Sequence, residues 1–117
     1  MGRSEAKSQA ISETEKEEMS YQLIFHPEAD EEYRDAYLRY EWLERELGDR
    51  FEKMVEQRIL QIMQRPENYH ISKSSYREVA VEDFPYSIVY RLNKRKKLIY
   101  ISSVYHTKRN PKGKYRK

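Results

Sequence analysis

The spacing of apolar residues changes once along this chain, close to Tyr69, and this change limits the folds that the chain can adopt. Before Tyr69, apolar side chains recur every three or four residues, which is typical of amphipathic helices. After it, they alternate every second residue among many Val, Ile and Tyr, which is typical of half-buried strands. With 117 residues the chain has room for one core. The order of the two patterns predicts an α+β domain.

The first half of the chain predicts a short strand over residues 21–25, followed by two helices. Pro27 suits the first turn of a helix, and four of the next five residues are acidic, which a helix N-terminus favours. We expect Gly48 to cap the first helix, Asp49 to begin the second and Pro66 to end it. The predicted apolar stripes are Tyr33, Ala36, Tyr37, Tyr40, Leu43 and Leu47 on the first helix, and Phe51, Met54, Val55, Ile59, Ile62 and Met63 on the second. Because the link between them is short, the helices should form an antiparallel hairpin.

The second half of the chain predicts three strands, Tyr76–Val81, Pro85–Leu92 and Leu98–His106. The turns between them, at residues 82–85 and 93–96, are short. Consecutive strands joined by short turns pair with their neighbours. We therefore expect a three-stranded antiparallel meander with the helical hairpin on one of its faces.

The two ends of the chain differ from its middle. Residues 1–18 are polar and contain one Ile, so we predict a disordered extension ahead of a single domain over residues 19–117. Residues 108–117 form a basic tail with Pro and Gly, which we expect to be too polar to pack deeply.

Charge is distributed unevenly along the chain. Residues 91–117 contain eleven Lys or Arg and no Asp or Glu, whereas residues 28–56 contain five basic and eleven acidic side chains. The small net charge of +3 therefore conceals a strong charge asymmetry. A basic region with interspersed Tyr and His predicts that one face binds an acidic partner, and nucleic acid is the first candidate.

Several classes of protein are disfavoured by composition. The chain has no Cys, which excludes disulfides, a thiol nucleophile and a thiolate metal site, and which fits a reducing cytoplasm. No apolar run approaches the roughly 18 residues of a membrane span. With three Gly and no metal-binding motif, the sequence predicts neither a phosphate-binding loop nor a bound metal or cofactor.

His106 is the strongest candidate for a catalytic residue. Simple alternation places it on one strand face with Leu98, Tyr100, Ser102 and Val104. Cleavage of RNA by its own 2′-hydroxyl needs a base, a cation for the charged phosphorane and an acid for the leaving oxygen. Together with His106, the residues Arg109, Tyr115 and Arg91 fill these roles without a metal. The alternative is a structural His at the end of a strand.

Further cations are candidates for binding RNA phosphates. Arg77 and Arg91 fall on predicted strands, where they extend a cationic floor or are ordinary solvated side chains. The remaining candidates are Lys94, Arg95, Lys96 and Lys97 in a hairpin turn, and Lys108, Lys112 and Lys114 in the tail. For the hairpin turn, the alternative to phosphate steering is a solvated turn without function.

Ordered motifs along residues 21–115 resemble the RelE/ParE superfamily of bacterial type II toxins. They are the strand before PEAD (27–30), the Tyr-rich helix, Gly48 with Phe51, PENY (66–69), Tyr76-Arg77, FPYSIVY (84–90) and ISSVYHTKRNP (101–111). The resemblance implies a toxin held inactive by a cognate antitoxin encoded in the same operon.

The resemblance leaves two activities open. RelE-like members cut mRNA in the ribosomal A site without a metal, whereas ParE-like members inhibit DNA gyrase. In nuclease members an Arg often stands where this chain has Ser87, which favours the ParE-like activity. A C-terminal His like His106 occurs in some ribosome-dependent nucleases, which favours the other. The hypotheses are thus a metal-independent, ribosome-associated mRNA endoribonuclease and, as the alternative, a non-catalytic gyrase inhibitor. A toxin fold that has lost its activity is the third, less favoured hypothesis.

Overall fold

The structure, a computed structural model, describes residues 21–109 and 111–117, with Lys112 described by its backbone alone. The predicted extension over residues 1–18 lies outside the described residues. Its disorder, and the domain boundary at residue 19, stay predictions.

The described chain folds into two helices and a five-stranded sheet. The elements are β1 (Gln22–Phe25), α1 (Pro27–Leu43), α2 (Leu47–Gln64), β2 (Ile71–Lys73), β3 (Tyr76–Ala80), β4 (Tyr86–Asn93), β5 (Leu98–His106) and a short 3-10 turn (Lys112–Lys114). The strand order in the sheet is β1-β5-β4-β3-β2. Strands β3, β4 and β5 form the predicted antiparallel meander, and β1 pairs with β5 in parallel. The α+β class is confirmed, and β2 is an additional short strand.

The two helices form the predicted antiparallel hairpin. The Tyr37 hydroxyl near the end of α1 donates to Asp49 Oδ1 at 3.0 Å, at the start of α2. Tyr33, one turn earlier in α1, lies opposite Glu52, one turn later in α2. His26 begins α1, because its Nδ1 accepts a hydrogen bond from the Glu28 amide at 3.0 Å. Neither helix of the described chain is long and apolar enough to cross a membrane.

The predicted boundary between the helices is wrong. Helix α1 ends at Leu43, which is exposed, and α2 begins at Leu47, so Gly48 lies inside the second helix rather than capping the first. A Cβ at Gly48 would lie 2.6 Å from the Tyr37 carbonyl oxygen. Glycine is needed here because α1 and α2 approach each other too closely for a side chain. Asp49 lies in the first turn of α2, and Glu41 of α1 accepts the Gly48 amide hydrogen bond at 2.7 Å.

The core lies between the helical hairpin and one sheet face. Phe51 is fully buried, with its ring centroid 5.0 Å from that of Tyr86 on β4 and 5.2 Å from that of Tyr40 on α1. The other buried members of this cluster are Ala29, Ala36, Val55, Ile59, Ile62, Val81, Ile88, Tyr90, Ile99, Ile101 and Val104. Pro66 follows α2, and its carbonyl accepts a 2.6 Å hydrogen bond from the buried Tyr90 hydroxyl.

A β-bulge at Ser102 changes which face the end of β5 presents. Val89 pairs with Ser103 and Tyr90 pairs with Ile101, so Ser102 is an extra residue without a partner on β4. The prediction that His106 shares a face with Leu98 and Tyr100 is therefore wrong. His106 pairs with Tyr86 on the helix-covered face, while Tyr100 lies on the opposite face, which we call the tail face.

Side chains form hydrogen bonds with the backbone groups on the outer edge of β5, beyond the point where the neighbouring strand β1 ends. Strand β1 stops at Phe25, which pairs with Ile101. Beyond this point the Val104 amide donates to Glu32 Oε1 at 2.9 Å, and Ser103 Oγ donates to the same oxygen at 2.9 Å. Arg116 Nη1 donates to the Ser102 carbonyl at 2.9 Å. Helix α1 and the tail thus replace the missing strand.

The basic tail packs against the protein, contrary to the sequence-based expectation. Arg116 has a side-chain exposure of 13% and donates from Nη2 to Glu32 Oε2 at 3.1 Å. Lys114 is equally covered, and its Nζ donates to the Tyr105 hydroxyl at 3.0 Å and lies 3.7 Å from Glu78. Carboxylates elsewhere in the fold supply the partners that allow these cations to be covered.

Candidate functional site

A pocket of about 220 Å³ lies between α1 and the end of β5, beside the core. We call it the His106 pocket. Its lining includes Glu32, Asp35, Arg39, Tyr86, His106 and Arg109. Of these, His106 and Arg109 are candidates from the sequence, whereas Arg39 and Tyr86 are not.

Two structural features bring these side chains together. Asp35 and Arg39 are one helical turn apart on α1 and therefore project to the same side. On the sheet, the bulge brings His106 opposite Tyr86, and the two rings meet edge to face with centroids 5.2 Å apart. Tyr86 itself is 4% exposed and is held by Phe51. The His106 ring therefore rests on a rigid part of the core.

His106 is held in a defined orientation by its own turn. Its Nδ1 accepts a hydrogen bond from the Lys108 amide at 3.1 Å, so the proton of the neutral ring is on Nε2. Its carbonyl accepts from the Arg109 amide at 2.9 Å. Burial, and then the positive charges of Arg109, Lys108 and Arg39, lower the pKa of His106 below its ordinary value of 6.5. The neutral form of the ring therefore predominates at pH 7.

The guanidinium groups of Arg39 and Arg109 line the same pocket as the Tyr86 hydroxyl. Burial raises the pKa of Tyr86, and the charges of Arg39 and Arg109 partly counteract this increase. Within the described ranges, neither guanidinium forms an ion pair or a side-chain hydrogen bond. Both arginines are exposed. They are consequently available to an external partner.

The pocket also contains negative charge. Asp35 is exposed, and Glu32 forms part of the pocket while its carboxylate binds Arg116 and the edge of β5. The site thus combines two unpaired cations, a neutral imidazole, a phenol and a free carboxylate. Such a mixed set can bind a polar protein surface, or can supply a base and cations to a phosphate.

The structure separates the four predicted catalytic residues into two pairs. His106 and Arg109 share the His106 pocket. Arg91 lies on the tail face, paired in register with Tyr76 on β3 and Tyr100 on β5. Tyr115 also lies there, with its ring on Tyr76 at 5.2 Å and its hydroxyl 3.3 Å from Ser72 Oγ. The sheet therefore stands between the two pairs.

The predicted phosphate-binding cations are also dispersed. Arg77 lies on the helix-covered face and donates to the carbonyls of Glu67 at 3.3 Å and Tyr69 at 2.7 Å, which fixes the turn after α2. In the hairpin turn between β4 and β5, Lys94 pairs with Glu67 at 2.5 Å, and Lys97 lies over the Tyr21 ring at 5.1 Å. Lys94, Arg95, Lys96, Lys97 and Lys108 are all exposed. The Lys112 side chain lies outside the described part of the structure.

Sequence reasoning missed Arg39 and Tyr86. Arg39 is one of five basic residues in an acidic stretch and carries no motif. The alternation of apolar residues predicts only that Tyr86 is a core residue. Tyr86 contacts His106 because the β-bulge at Ser102 places His106 opposite it. No group of three or more His, Asp or Glu within the described residues is arranged to hold a metal ion.

The fold is shared with known toxins. A helical hairpin on an antiparallel meander with a parallel first strand is similar to solved structures of a ParDE system and of the toxin RelE. A family model described as "ParE toxin of type II toxin-antitoxin system, parDE" matches residues 23–111. Because this match spans most of the chain, the protein belongs to the ParE toxin family of type II toxin–antitoxin systems.

Solved structures share the fold at low sequence identity. The "Chromosomal ParDE TA system from P. aeruginosa" matches with a TM-score of 0.64 and 16% identity, covering 75% of this chain and 97% of that one. A double mutant of E. coli toxin RelE in the free state gives 0.59 and 17%, covering 77% and 86%. The same mutant in complex with a RelBc antitoxin peptide gives 0.54 and 18%, covering 73% and 81%. No curated protein sequence matches the chain.

Proposed function

We propose that this toxin acts in the cytoplasm by inhibiting DNA gyrase without cutting nucleic acid, and that a cognate antitoxin holds it inactive. The observation that supports this proposal is the division of the predicted catalytic residues between two sheet faces. Arg91 and Tyr115 lie on the tail face, away from His106 and Arg109. Groups that act on one phosphate must be within hydrogen-bond reach of it.

The charge of the His106 pocket fits a protein partner better than a phosphodiester. The carboxylate of Asp35 faces the same space as Arg39 and Arg109. A phosphorane carries two negative charges, which a free carboxylate repels, whereas a folded protein partner offers both signs of charge.

An exposed strip of α1 adjoins this pocket. Leu38 is 56% exposed and Trp42 is 88% exposed. With Asp35 and Arg39 they fall within about 100° of the helix circumference, given 3.6 residues per turn. Trp and Arg are the residues that contribute most to protein–protein affinity. We therefore assign the gyrase-binding surface to this strip together with the His106 pocket.

A matched pair of variants tests this surface. Trp42→Ala and Arg39→Met should each raise the toxin concentration that halves gyrase supercoiling by about tenfold or more, the effect of losing one interface hot spot. Arg50→Met is the control, because Arg50 is a similarly exposed cation that pairs with Asp83 at 3.2 Å. The proposal fails if the wild-type toxin leaves supercoiling unchanged at all concentrations.

Ribosome-associated mRNA cleavage is the second candidate function. The proximity of a neutral His106 to Tyr86 and two unpaired arginines favours it, since a base and cations are then present in one pocket. In a cell-free translation extract, wild-type toxin would then shorten ribosome-bound mRNA, and His106→Ala would slow cleavage by about 10²–10⁴-fold. Intact mRNA together with inhibited supercoiling eliminates this candidate.

The antitoxin is expected to bring an acidic, amphipathic segment to one of the basic surfaces of the toxin. Charge complementarity and apolar anchoring are the means available to a chain without Cys. Because Arg91 and Arg109 lie on opposite sides of the sheet, separate variants distinguish the two surfaces. Co-purification with a cognate antitoxin should weaken in Arg91→Glu if the segment covers the tail face, and in Arg109→Glu if it covers the His106 pocket. Unchanged co-purification would place the antitoxin contact elsewhere.

A further inference from the structure

Arg91 is held between two aromatic rings on the tail face. Its guanidinium carbon lies 5.5 Å from the Tyr76 ring centroid and 5.1 Å from that of Tyr100. The three residues are cross-strand partners on β3, β4 and β5, so the strand pairing itself fixes this arrangement. The side chain is therefore ordered before any ligand arrives, which reduces the entropy that a ligand must overcome.

Arg91 has no ion-pair partner in the described part of the chain, although the neighbouring Tyr100 hydroxyl donates to the Lys117 oxygen at 3.0 Å on the same face. The Arg91 side chain makes no ion pair and no hydrogen bond there, and its Nε is buried without a partner. Glu78, on the same face, is bound by Tyr105 and Lys114. A partly buried guanidinium without a counter-ion is costly, and an external anion would relieve this cost.

A pocket of about 200 Å³ lies beside Arg91, with Ser75, Leu92, Asn93, Leu98 and Tyr100 as its other lining residues. The polar lining consists of hydroxyl and amide groups, and no carboxylate lines it. Asn93 and Leu98 are the last paired residues before the hairpin turn. Two strand residues, or about 7 Å, therefore separate Arg91 from the start of this turn.

The hairpin turn supplies a row of cations next to the pocket. Lys94, Arg95, Lys96 and Lys97 are consecutive and exposed. Arg95 and Lys96 have no ion-pair partner among the described residues. The tail face thus presents an ordered arginine followed by further cations.

We propose that Arg91 and the adjacent hairpin turn bind consecutive backbone phosphates of a nucleic acid. The terminal nitrogens of Arg91 donate to two oxygens of one phosphate, as guanidinium groups do in bidentate pairs. Because the contacts are to the backbone, binding is independent of base sequence and strongly dependent on salt. This activity is separate from the proposed gyrase surface, which lies on the opposite side of the sheet.

The test is fluorescence anisotropy of labelled 20-nucleotide DNA, RNA and duplex DNA at several salt concentrations, with the purified full chain and no gyrase. Arg91→Met should weaken binding about tenfold or more, the loss expected for a hydrogen-bonded charged pair. It should also reduce the slope of log affinity against log salt by about one. Arg91→Lys keeps the positive charge but loses the pair of parallel donors of the guanidinium. Its affinity for oligonucleotide should lie between those of wild type and Arg91→Met. Arg34→Met is the control, since Arg34 is an exposed arginine on α1 paired with Asp30.

A measurement on the wild-type protein tests the proposal without relying on a variant that folds correctly. The side-chain Nε–H resonance of Arg91 should shift when oligonucleotide is added, and inorganic phosphate at high concentration should also shift it, because it supplies the same ligand group. The proposal is overturned if wild type binds no oligonucleotide at low salt, if Arg91→Met binds as wild type does, or if the resonance stays unchanged. Tighter binding of a poly-glutamate peptide than of any oligonucleotide would also refute it, because the ligand would then be an acidic protein segment.

Discussion

Replacing Gly48 by Ala should destabilise this protein, although the same change in an ordinary exposed helix stabilises by about 1 kcal/mol. The added Cβ would lie 2.6 Å from the Tyr37 carbonyl oxygen and 2.8 Å from Glu41 Cγ and Oε1. The Tyr37 oxygen belongs to the backbone of α1. It can move away only if the two helices separate.

The magnitude follows from three contributions. Overpacking a tight contact costs about 1–3 kcal/mol, and contact with backbone places Gly48 in the upper part of that range. Displacing Glu41 from the Gly48 amide, which it accepts at 2.7 Å, loses a capping interaction worth about 1 kcal/mol. The gain in helix propensity offsets about 1 kcal/mol. We expect a net loss of about 2–3 kcal/mol, which lowers Tm by about 10–20 °C in a domain of this size.

Urea and thermal unfolding followed by circular dichroism measure this loss. Gly113→Ala is the matched control, because a Cβ there meets only Arg116 guanidinium atoms at 3.8 and 3.9 Å and should change little. Adding Glu41→Ala to Gly48→Ala should cost less than Glu41→Ala costs alone, since the clash is partly removed. If Gly48→Ala is as stable as wild type, the inferred close contact between the helices is wrong.

Three other predictions concern the tail, the His106 pocket and the core. Arg116→Met should reduce the free energy of unfolding by about 1–2 kcal/mol, because the covered carboxylate of Glu32 loses hydrogen-bond donors. The control Arg34→Met should change it by less than about 0.5 kcal/mol. Equal effects of the two variants in urea unfolding would contradict the ordered tail. The pKa of His106 should lie below 6.5 in an NMR titration and rise in Arg109→Met. Since the unfolded state then binds the proton more readily, the His106 contribution to stability is present above pH 6.5 and lost as the pH falls below it; a pKa at or above 6.5 would show that the cations do not act on the ring. Tyr90→Phe should cost about 1–2 kcal/mol by calorimetry, because the buried Pro66 carbonyl loses the hydroxyl that donates to it, and a neutral result would indicate that water replaces that hydroxyl.

Periodicity predicted the helices and the meander well, because burial on one face imposes a regular spacing. It failed where tertiary contact overrides local preference. Gly48 reads as a helix end from its propensity, yet it lies inside α2 because the partner helix is too close for a side chain. The tail reads as solvated from its charge, yet carboxylates more than thirty residues away in sequence cover Lys114 and Arg116.

The candidate site depended on a detail that periodicity does not contain. Strict alternation predicted that His106 lies on the same sheet face as Tyr100. That prediction also put His106 next to the cations of the tail face. One extra residue at Ser102 reverses this assignment, and no local signal in the sequence marks the bulge. His106 and Arg109 were identified because their residue types are chemically distinctive. Tyr86 was missed because its role depends on which face the bulged strand presents.

The way in which Glu32 and Arg116 satisfy the edge of β5 has a consequence for assembly. A strand from a second molecule that tried to extend the sheet past Phe25 would find the Val104 amide already bonded and the Ser102 carbonyl already occupied. To dock there it would first have to break an ion pair between the tail and α1. The edge of β5 beyond Phe25 is therefore protected against the addition of further strands by one carboxylate of α1 and one guanidinium of the tail, and this protection is lost if the tail is released.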